Sequence, residues 1–175
     1  YTLVKTLRDR FGIAHFSMLP QAGDARRRAE LGIDASFPSP HLPGKKLKTR
    51  VLETLLQVGG RWAPRATCER YGIQPRRNID ALLDISGYGF GDPRTIWQHR
   101  RFLRMARHYA SRECPVILLP QMFGPYEDEA RRNLFLRISQ FCSLIFAREG
   151  SSYKCLENLG IEPGKLRLAP DITIF

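Results

Sequence analysis

The chain has 175 residues, with 28 Lys+Arg against 17 Asp+Glu and a formal net charge of +11. Its 43% hydrophobic and 26% charged residues are those of an ordinary globular domain, which excludes a disordered or low-complexity chain. No apolar run approaches the roughly 20 residues of a membrane-spanning helix, and the charge directs attention to acidic partners: nucleic acid, anionic lipid or a phosphorylated substrate.

In chain order, Tyr1 to Phe11 reads as a helix with Leu3, Leu7 and Phe11 on one face, stopped at Gly12. Ile13 to Leu19 is a short strand closed by Pro20. Asp24 is the expected cap of a basic helix, Ala25 to Leu31. Asp34 to Gly44, with Pro38, Pro40 and Pro43, reads as a loop. Helices are expected over Lys45 to Val58 and Ala63 to Tyr71. From Asp80 the pattern becomes β-α-β-α-β-α-β. Strands are expected at Asp80–Ile85, Pro115–Leu119, Ser143–Ala147 and Leu166–Ala169, with helices at Thr95–Ser111, Glu127–Gln140 and Ser152–Leu159. Apolar strands without alternation predict burial on both faces. The fold class is therefore α/β, a Rossmann-like parallel sheet with helices on both faces. The organisation expected is a single, incomplete Rossmann-like domain over 1–175. Within it, residues 1–79 carry a basic helical insertion and residues 80–175 carry the motifs.

In an open parallel sheet, ligands bind beyond the carboxyl ends of the strands. Four loops converge on that edge: Ser86 to Asp92, Pro120 to Pro125, Arg148 to Ser152, and Pro170-Asp171. The first, Ser86-Gly87-Tyr88-Gly89-Phe90-Gly91-Asp92, allows backbone N–H groups to approach an anion or sugar closely. It is neither a G-x-G-x-x-G turn nor a phosphate-binding P-loop, and a plain flexible turn is the competing reading. Arg148-Glu149 follows a buried strand and precedes Ser151-Ser152, which are expected to cap the next helix. Arginine suits a bidentate grip on carboxylate or phosphate, and a helix N-terminus adds positive potential there. The rival is a structural pair with Glu149 or Asp171. Asp84, inside its strand, reads mainly as structural.

The candidate binding residues are Ser86, Gly87, Tyr88, Gly89, Asp92, Gln121, Gly124, Arg148, Glu149 and Ser151. No catalytic residue is named. His15, His41, His99 and His108 form no triad, and Ser151 lacks the G-x-S-x-G setting of a hydrolase. Cys68, Cys114, Cys142 and Cys155 contain no C-x-x-C and no metal spacing, and read as reduced thiols, with Cys142 in the core. The basic clusters are Arg26–Arg28, Lys45-Lys46-Leu47-Lys48, Arg76-Arg77, Arg100-Arg101 with Arg104 and Arg107, and Arg131-Arg132. They are read as solvated faces, or as surfaces attracted to an anionic membrane or a phosphate-bearing substrate. Nucleic acid is not favoured, since no helix-turn-helix, RNA-recognition or zinc-finger pattern accompanies them.

Asp80-Ala-Leu-Leu-Asp-Ile-Ser-Gly-Tyr-Gly-Phe-Gly-Asp92, Leu118-Leu-Pro-Gln-Met-Phe-Gly-Pro125, Ala147-Arg-Glu-Gly-Ser-Ser152, Leu159-Gly160 and Pro170-Asp171 together resemble the polysaccharide pyruvyl transferase family. Residues 1–79 match it only loosely. The resemblance implies one half of a GT-B-like two-domain fold with a cleft between Rossmann-like halves. It implies a transferase in exopolysaccharide or other cell-surface polysaccharide biosynthesis; the reduced thiols point to the cytoplasm, and the basic faces to peripheral association with the inner face of the membrane. The reaction implied moves an enolpyruvyl unit from phosphoenolpyruvate to a sugar hydroxyl of a glycan or lipid-linked precursor, giving a pyruvate ketal. By position Arg148 would grip the anionic donor, and Ser86 to Asp92 with Gln121 to Gly124 would line the acceptor side. No metal or organic cofactor is implied. The family's first strand and its second half are expected before Tyr1 and after Phe175, so the chain is expected to be inactive alone. Two alternatives stand beside this reading: a nucleotide-sugar glycosyltransferase of GT-B-like architecture, and a basic α/β module binding nucleic acid or anionic lipid.

Overall fold

The computed structural model of the chain describes residues 2–13, 15–18, 25–37, 73–91 and 95–171. The chain divides into two compact units, Tyr1–Ile79 and Asp80–Phe175. In the first, α1 (Thr2–Phe11), β1 (Phe16–Met18), α2 (Ala25–Glu30), β2 (Ile33–Phe37) and β3 (Ile73–Pro75) follow one another. The strands form a parallel sheet in the order β1-β2-β3, with Phe16 opposite Ile33 and Ala35 opposite Ile73. Arg8 of α1 donates from Nη1 to Leu31 O (3.2 Å) and from Nη2 to Gly32 O (3.0 Å), at the end of α2. A cation there satisfies carbonyls that the helix leaves open.

This unit departs from expectation in three places. The segment from Asp34 to Gly44, expected as a loop, begins instead with β2, in which Ile33 and Ser36 are buried. Five residues before a proline-rich stretch carry little local strand signal, and parallel neighbours on both sides supply the hydrogen bonds that make the strand. The three-residue β3 has no counterpart among the expected elements, for the same reason. In α1, Leu3 and Leu7 are half-buried, and Phe11, expected on the same face, is 69% exposed. The expected Asp24 cap and the helices over Lys45 to Val58 and Ala63 to Tyr71 lie outside the described residues.

The second unit alternates β4 (Leu82–Asp84), α3 (Ile96–Ala110), β5 (Val116–Gln121), α4 (Glu129–Ser139), β6 (Leu144–Ala147), α5 (Gly150–Asn158) and β7 (Leu166–Leu168). All neighbours pair in parallel, in the order β4-β5-β6-β7. The chain is thus an α/β protein built on Rossmann-like parallel sheets. Burial along β5 and β6 alternates, so the uniform burial expected holds on one side only. Val116, Leu118, Ile145 and Ala147 are fully buried, whereas Ile117, Leu119, Leu144 and Phe146 are half-buried.

Local chemistry sets the helix starts. Thr95 and Gln98 form a reciprocal capping box on α3, and Asp128 accepts from Ala130 N (2.8 Å) at the start of α4. An aromatic cluster packs the interior. Phe90 lies 4.9 Å from Phe102 and 5.5 Å from Phe135 between ring centroids, and Tyr126 stacks on Phe135 at 5.2 Å. Phe90 and Phe123 come from the loops after β4 and β5, so both loops are rooted in the core.

Cys142 is 2% exposed and points its Sγ at Ile138 O (3.4 Å). Burial, the largest cause, pushes its thiol from the ordinary 9.0 up to about 12; Lys165 opposes the shift and Asp84 adds to it. The folded state therefore holds this proton after the unfolded chain has released it. The contribution to stability is complete below about pH 9 and is lost as pH rises toward about 12. At pH 8 a disulfide reagent should modify Cys142 only after urea unfolding. Labelling of native protein at Cys142, read by mass spectrometry, would contradict this burial.

Candidate functional site

Because β4 to β7 are parallel, Asp84, Gln121, Ala147 and Leu168 end their strands on one edge. Gln121 sits at the centre of that edge and is 0% exposed. A buried primary amide has two donors and an accepting oxygen to satisfy, and here the partners come from the neighbouring strand and loop. Gln121 Nε2 donates to Asp84 Oδ2 (3.1 Å), and Gln121 Oε1 accepts from Gly89 N (3.2 Å). Ser86 Oγ lies 2.6 Å from Asp84 Oδ2 and 3.2 Å from Gln121 Oε1. It has one hydrogen to give, and the shorter contact takes it. The main chain extends the same contact on both sides: Met122 N donates to Gly87 O (3.0 Å) and Arg148 N to Gln121 O (3.0 Å).

Beyond Gln121 the loops continue to run together. Phe90 and Phe123 form a parallel bridge, Gly124 N donates to Phe90 O (3.3 Å), and Tyr126 Oη donates to the same carbonyl (3.0 Å). Gly124 precedes Pro125 through a cis peptide bond and has φ +78°. A Cβ at this position would stand 2.6 Å from Cys155 Sγ, so conformation and space both require glycine. Gly87, with φ +69° and nothing within 4 Å of a Cβ, answers to conformation alone.

At the far side, Arg148 follows β6 and reaches across the edge. Its Nη1 donates to Asp171 Oδ2 (2.9 Å) and its Nη2 to Tyr88 Oη (3.1 Å). The guanidinium carbon lies 4.8 Å from the Tyr88 ring centroid, within cation–π range. The hydrogen bonds to Tyr88, first, and to Asp171 hold the cation protonated more firmly than an ordinary arginine. Arg148 and Asp171 are one-fifth and one-quarter exposed, and Tyr88 is 60% exposed. A cation and an aromatic face are thus presented at the end of the sheet.

The expected serine cap of α5 is corrected. The helix begins at Gly150, and Glu149 is its N-cap residue, with no side-chain cap hydrogen bond. Ser151 is exposed in the first turn and stands outside the network described above. Ser152 is 1% exposed; its Oγ accepts from Phe123 N (2.9 Å) and lies 3.1 Å from Glu149 Oε1. Capping loses to this tertiary bond because Ser152 lies inside the helix, against the buried loop after β5. Of the candidate residues, Ser86, Gly87, Tyr88, Gly89, Gln121, Gly124, Arg148 and Glu149 converge on one edge, while Asp92 lies outside the described residues. Three residues beyond the candidate set join that edge: Ser152, Asp84 and Asp171. The signal for Asp84 in the sequence is its place at the strand end, two residues before a serine.

A family model for polysaccharide pyruvyl transferases matches residues 1–175. The chain belongs to the polysaccharide pyruvyl transferase family. The match includes residues 1–79, where the motifs resemble the family only loosely. No curated protein and no solved structure gives a significant match. In this pyruvyl transferase family member, the motif loops are the segments that the Gln121 network ties together.

Replacing Gln121 by Leu strands Gly89 N–H and one bond to Asp84, and should cost about 1–3 kcal/mol in urea unfolding. A loss under a few tenths would show that water replaces the amide at no cost. Gly124→Ala should destabilise by about 1–3 kcal/mol, and Gly87→Ala by less, because it meets no neighbouring atom; the reverse order would refute the role given to Cys155.

Proposed function

We propose that this protein transfers the pyruvyl group of phosphoenolpyruvate to sugar hydroxyls of a cell-surface polysaccharide or its lipid-linked precursor. Membership of the family supports the transferase class, and the observation that carries the donor is Arg148. Its guanidinium has five N–H donors, of which two are committed, to Asp171 and Tyr88. The others are available for a carboxylate or phosphate, whose geometry matches the planar fork. The start of α5, two residues on, lacks a side-chain cap and adds positive potential at the same edge. The glycine loop after β4 and the segment from Gln121 to Gly124 form the acceptor side in this reading. A second Rossmann-like half completing a GT-B-like cleft, and work at the inner face of a membrane, belong to the same proposal. No helix among the described residues is long and apolar enough to cross a membrane.

The reaction balances without a cofactor. C3 of the donor takes up a proton, two sugar oxygens bond to C2, and the bond from C2 to the phosphate oxygen breaks. The two hydroxyl protons released offset the one gained at C3 and the one that leaves on inorganic phosphate. Protonation at C3 needs a general acid. Arg148, held as a cation, binds and orients the donor in this scheme and does not move the proton.

Phosphoenolpyruvate, and not a nucleotide sugar, should raise the melting temperature of the chain in a titration. Arg148→Ala should weaken that binding by about 10–100-fold, as expected for charged hydrogen bonds. Tyr88→Phe, which keeps the ring and removes the hydroxyl, should weaken it by less. Equal stabilisation of the Arg148→Ala chain, or stabilisation by the nucleotide sugar alone, would sink this reading.

A further inference from the structure

We propose that the outward face of α3 docks the protein on an anionic lipid surface. The inference rests on the proposed work at the inner face of a membrane and is independent of the donor chemistry. Helix α3 buries His99, Phe102, Ala106 and Tyr109, residues that recur at helical spacing along one side. Arg100, Arg104 and Arg107 follow at i, i+4 and i+7 on the opposite side, and all three are exposed. At 1.5 Å per residue, the three guanidinium groups span about 10 Å of a straight ridge. No ion pair involves any of the three among the described residues, and Ile96 to Arg112 holds five arginines and no acidic residue.

That absence is local. The unit Asp80–Phe175 holds 13 Lys+Arg and 11 Asp+Glu. With the five arginines of Ile96 to Arg112 set aside, its acidic residues outnumber its basic ones. The excess of positive charge in this unit is therefore local to Ile96–Arg112, with four of its five arginines on α3. An i,i+4 partner would be the usual use of surface arginines on a helix, and α3 supplies none.

The chemistry of the face selects the partner. Among the described residues, the exposed large hydrophobic side chains are Phe11, Ile13, Ile85, Tyr88 and Leu168, and none is on α3. The rings on this side of α3 are the exposed imidazole of His108 and the half-buried Trp97, over which the Arg101 guanidinium lies at 5.7 Å; the face therefore lacks the row of open aromatic rings on which a single-strand binder stacks bases. Without exposed apolar groups it does not insert into a bilayer as an amphipathic helix does. A straight ridge of arginines fits the plane of anionic headgroups. Each such charge contributes about 1 kcal/mol near an anionic leaflet, or about fivefold in partition, and the attraction is screened within a Debye length.

The test is flotation of the 175-residue chain with vesicles of phosphatidylcholine, alone or containing phosphatidylglycerol at about 20 or about 40 mol%. Binding should appear only with the anionic lipid and fall steeply between about 50 and about 500 mM salt, as the Debye length shortens. Arg100→Gln/Arg104→Gln/Arg107→Gln should reduce partition about a hundredfold, from three such charges, whereas Arg26→Gln/Arg27→Gln/Arg28→Gln should reduce it much less. Phenylglyoxal modification of the unaltered chain gives a readout that does not depend on folding of a variant. Anionic vesicles should protect Arg100, Arg104 and Arg107, and phosphatidylcholine vesicles should not. The proposal is overturned by no binding to the vesicles richest in phosphatidylglycerol, by equal loss in the two triple variants, or by unprotected α3 arginines in bound protein. Tighter binding to duplex or single-stranded DNA than to these vesicles at equal salt would overturn it as well.

Discussion

Burying the primary amide of Gln121 at the end of β5 imposes the constraint on which the rest of the second unit's edge depends. A buried amide without partners costs several kcal/mol relative to one in water, so the surrounding chain must deliver donors and acceptors at set positions. Asp84 arrives because β4 pairs with β5 in a fixed parallel register, and Gly89 N arrives because the loop after β4 turns back over the strand end. The glycine loop is held open toward solvent on one side by being held down on the other. The aromatic rings of Phe90 and Phe123 supply the apolar half of the same arrangement, since they draw both loops into the core.

The functional consequence is preorganisation. Arg148 joins this edge through its backbone, by the bond from its N–H to Gln121 O, and through its side chain, by Asp171 and Tyr88. A long flexible side chain is thereby held near one geometry before any ligand arrives, and less rotamer freedom remains to be lost on binding. Asp171 is both the partner that holds Arg148 and the charge that an anionic ligand must share it with. Tyr88 carries no charge, so its hydrogen bond is the cheaper of the two to exchange.

Net charge alone describes this molecule poorly. The value of +11 suggests one basic surface, yet the two units differ. Asp80–Phe175 is close to balanced, and most of the excess belongs to Tyr1–Ile79. Within the second unit, helix periodicity sorts α3 into a buried apolar side and an arginine side. A modest total thus becomes a strong local field along one side of α3.

Much of the second unit is legible in the sequence. Apolar runs separated by amphipathic helices of about one heptad or more announce the β-α alternation from Asp80 onward, and parallel order places the four motif loops on one edge. Helix period alone places Phe102, Met105, Ala106 and Tyr109 on the inward side of α3, and Phe102, Ala106 and Tyr109 are buried there while Met105 is half-buried; Thr95, read as the first helical residue, is instead the cap. The short strands β2 and β3 do not, because three to five residues carry little pattern and their hydrogen bonds come from neighbours distant in the chain. Ser152 has the residue type of a helix cap, whereas the folded chain uses it against Phe123. The sequence by itself determined which loops meet, because chain order and parallel pairing leave a single edge for them. Only the tertiary structure decided which side chains on those loops are spent on one another and which remain exposed to a ligand, because that depends on ångström-scale distances across strands that no local pattern encodes.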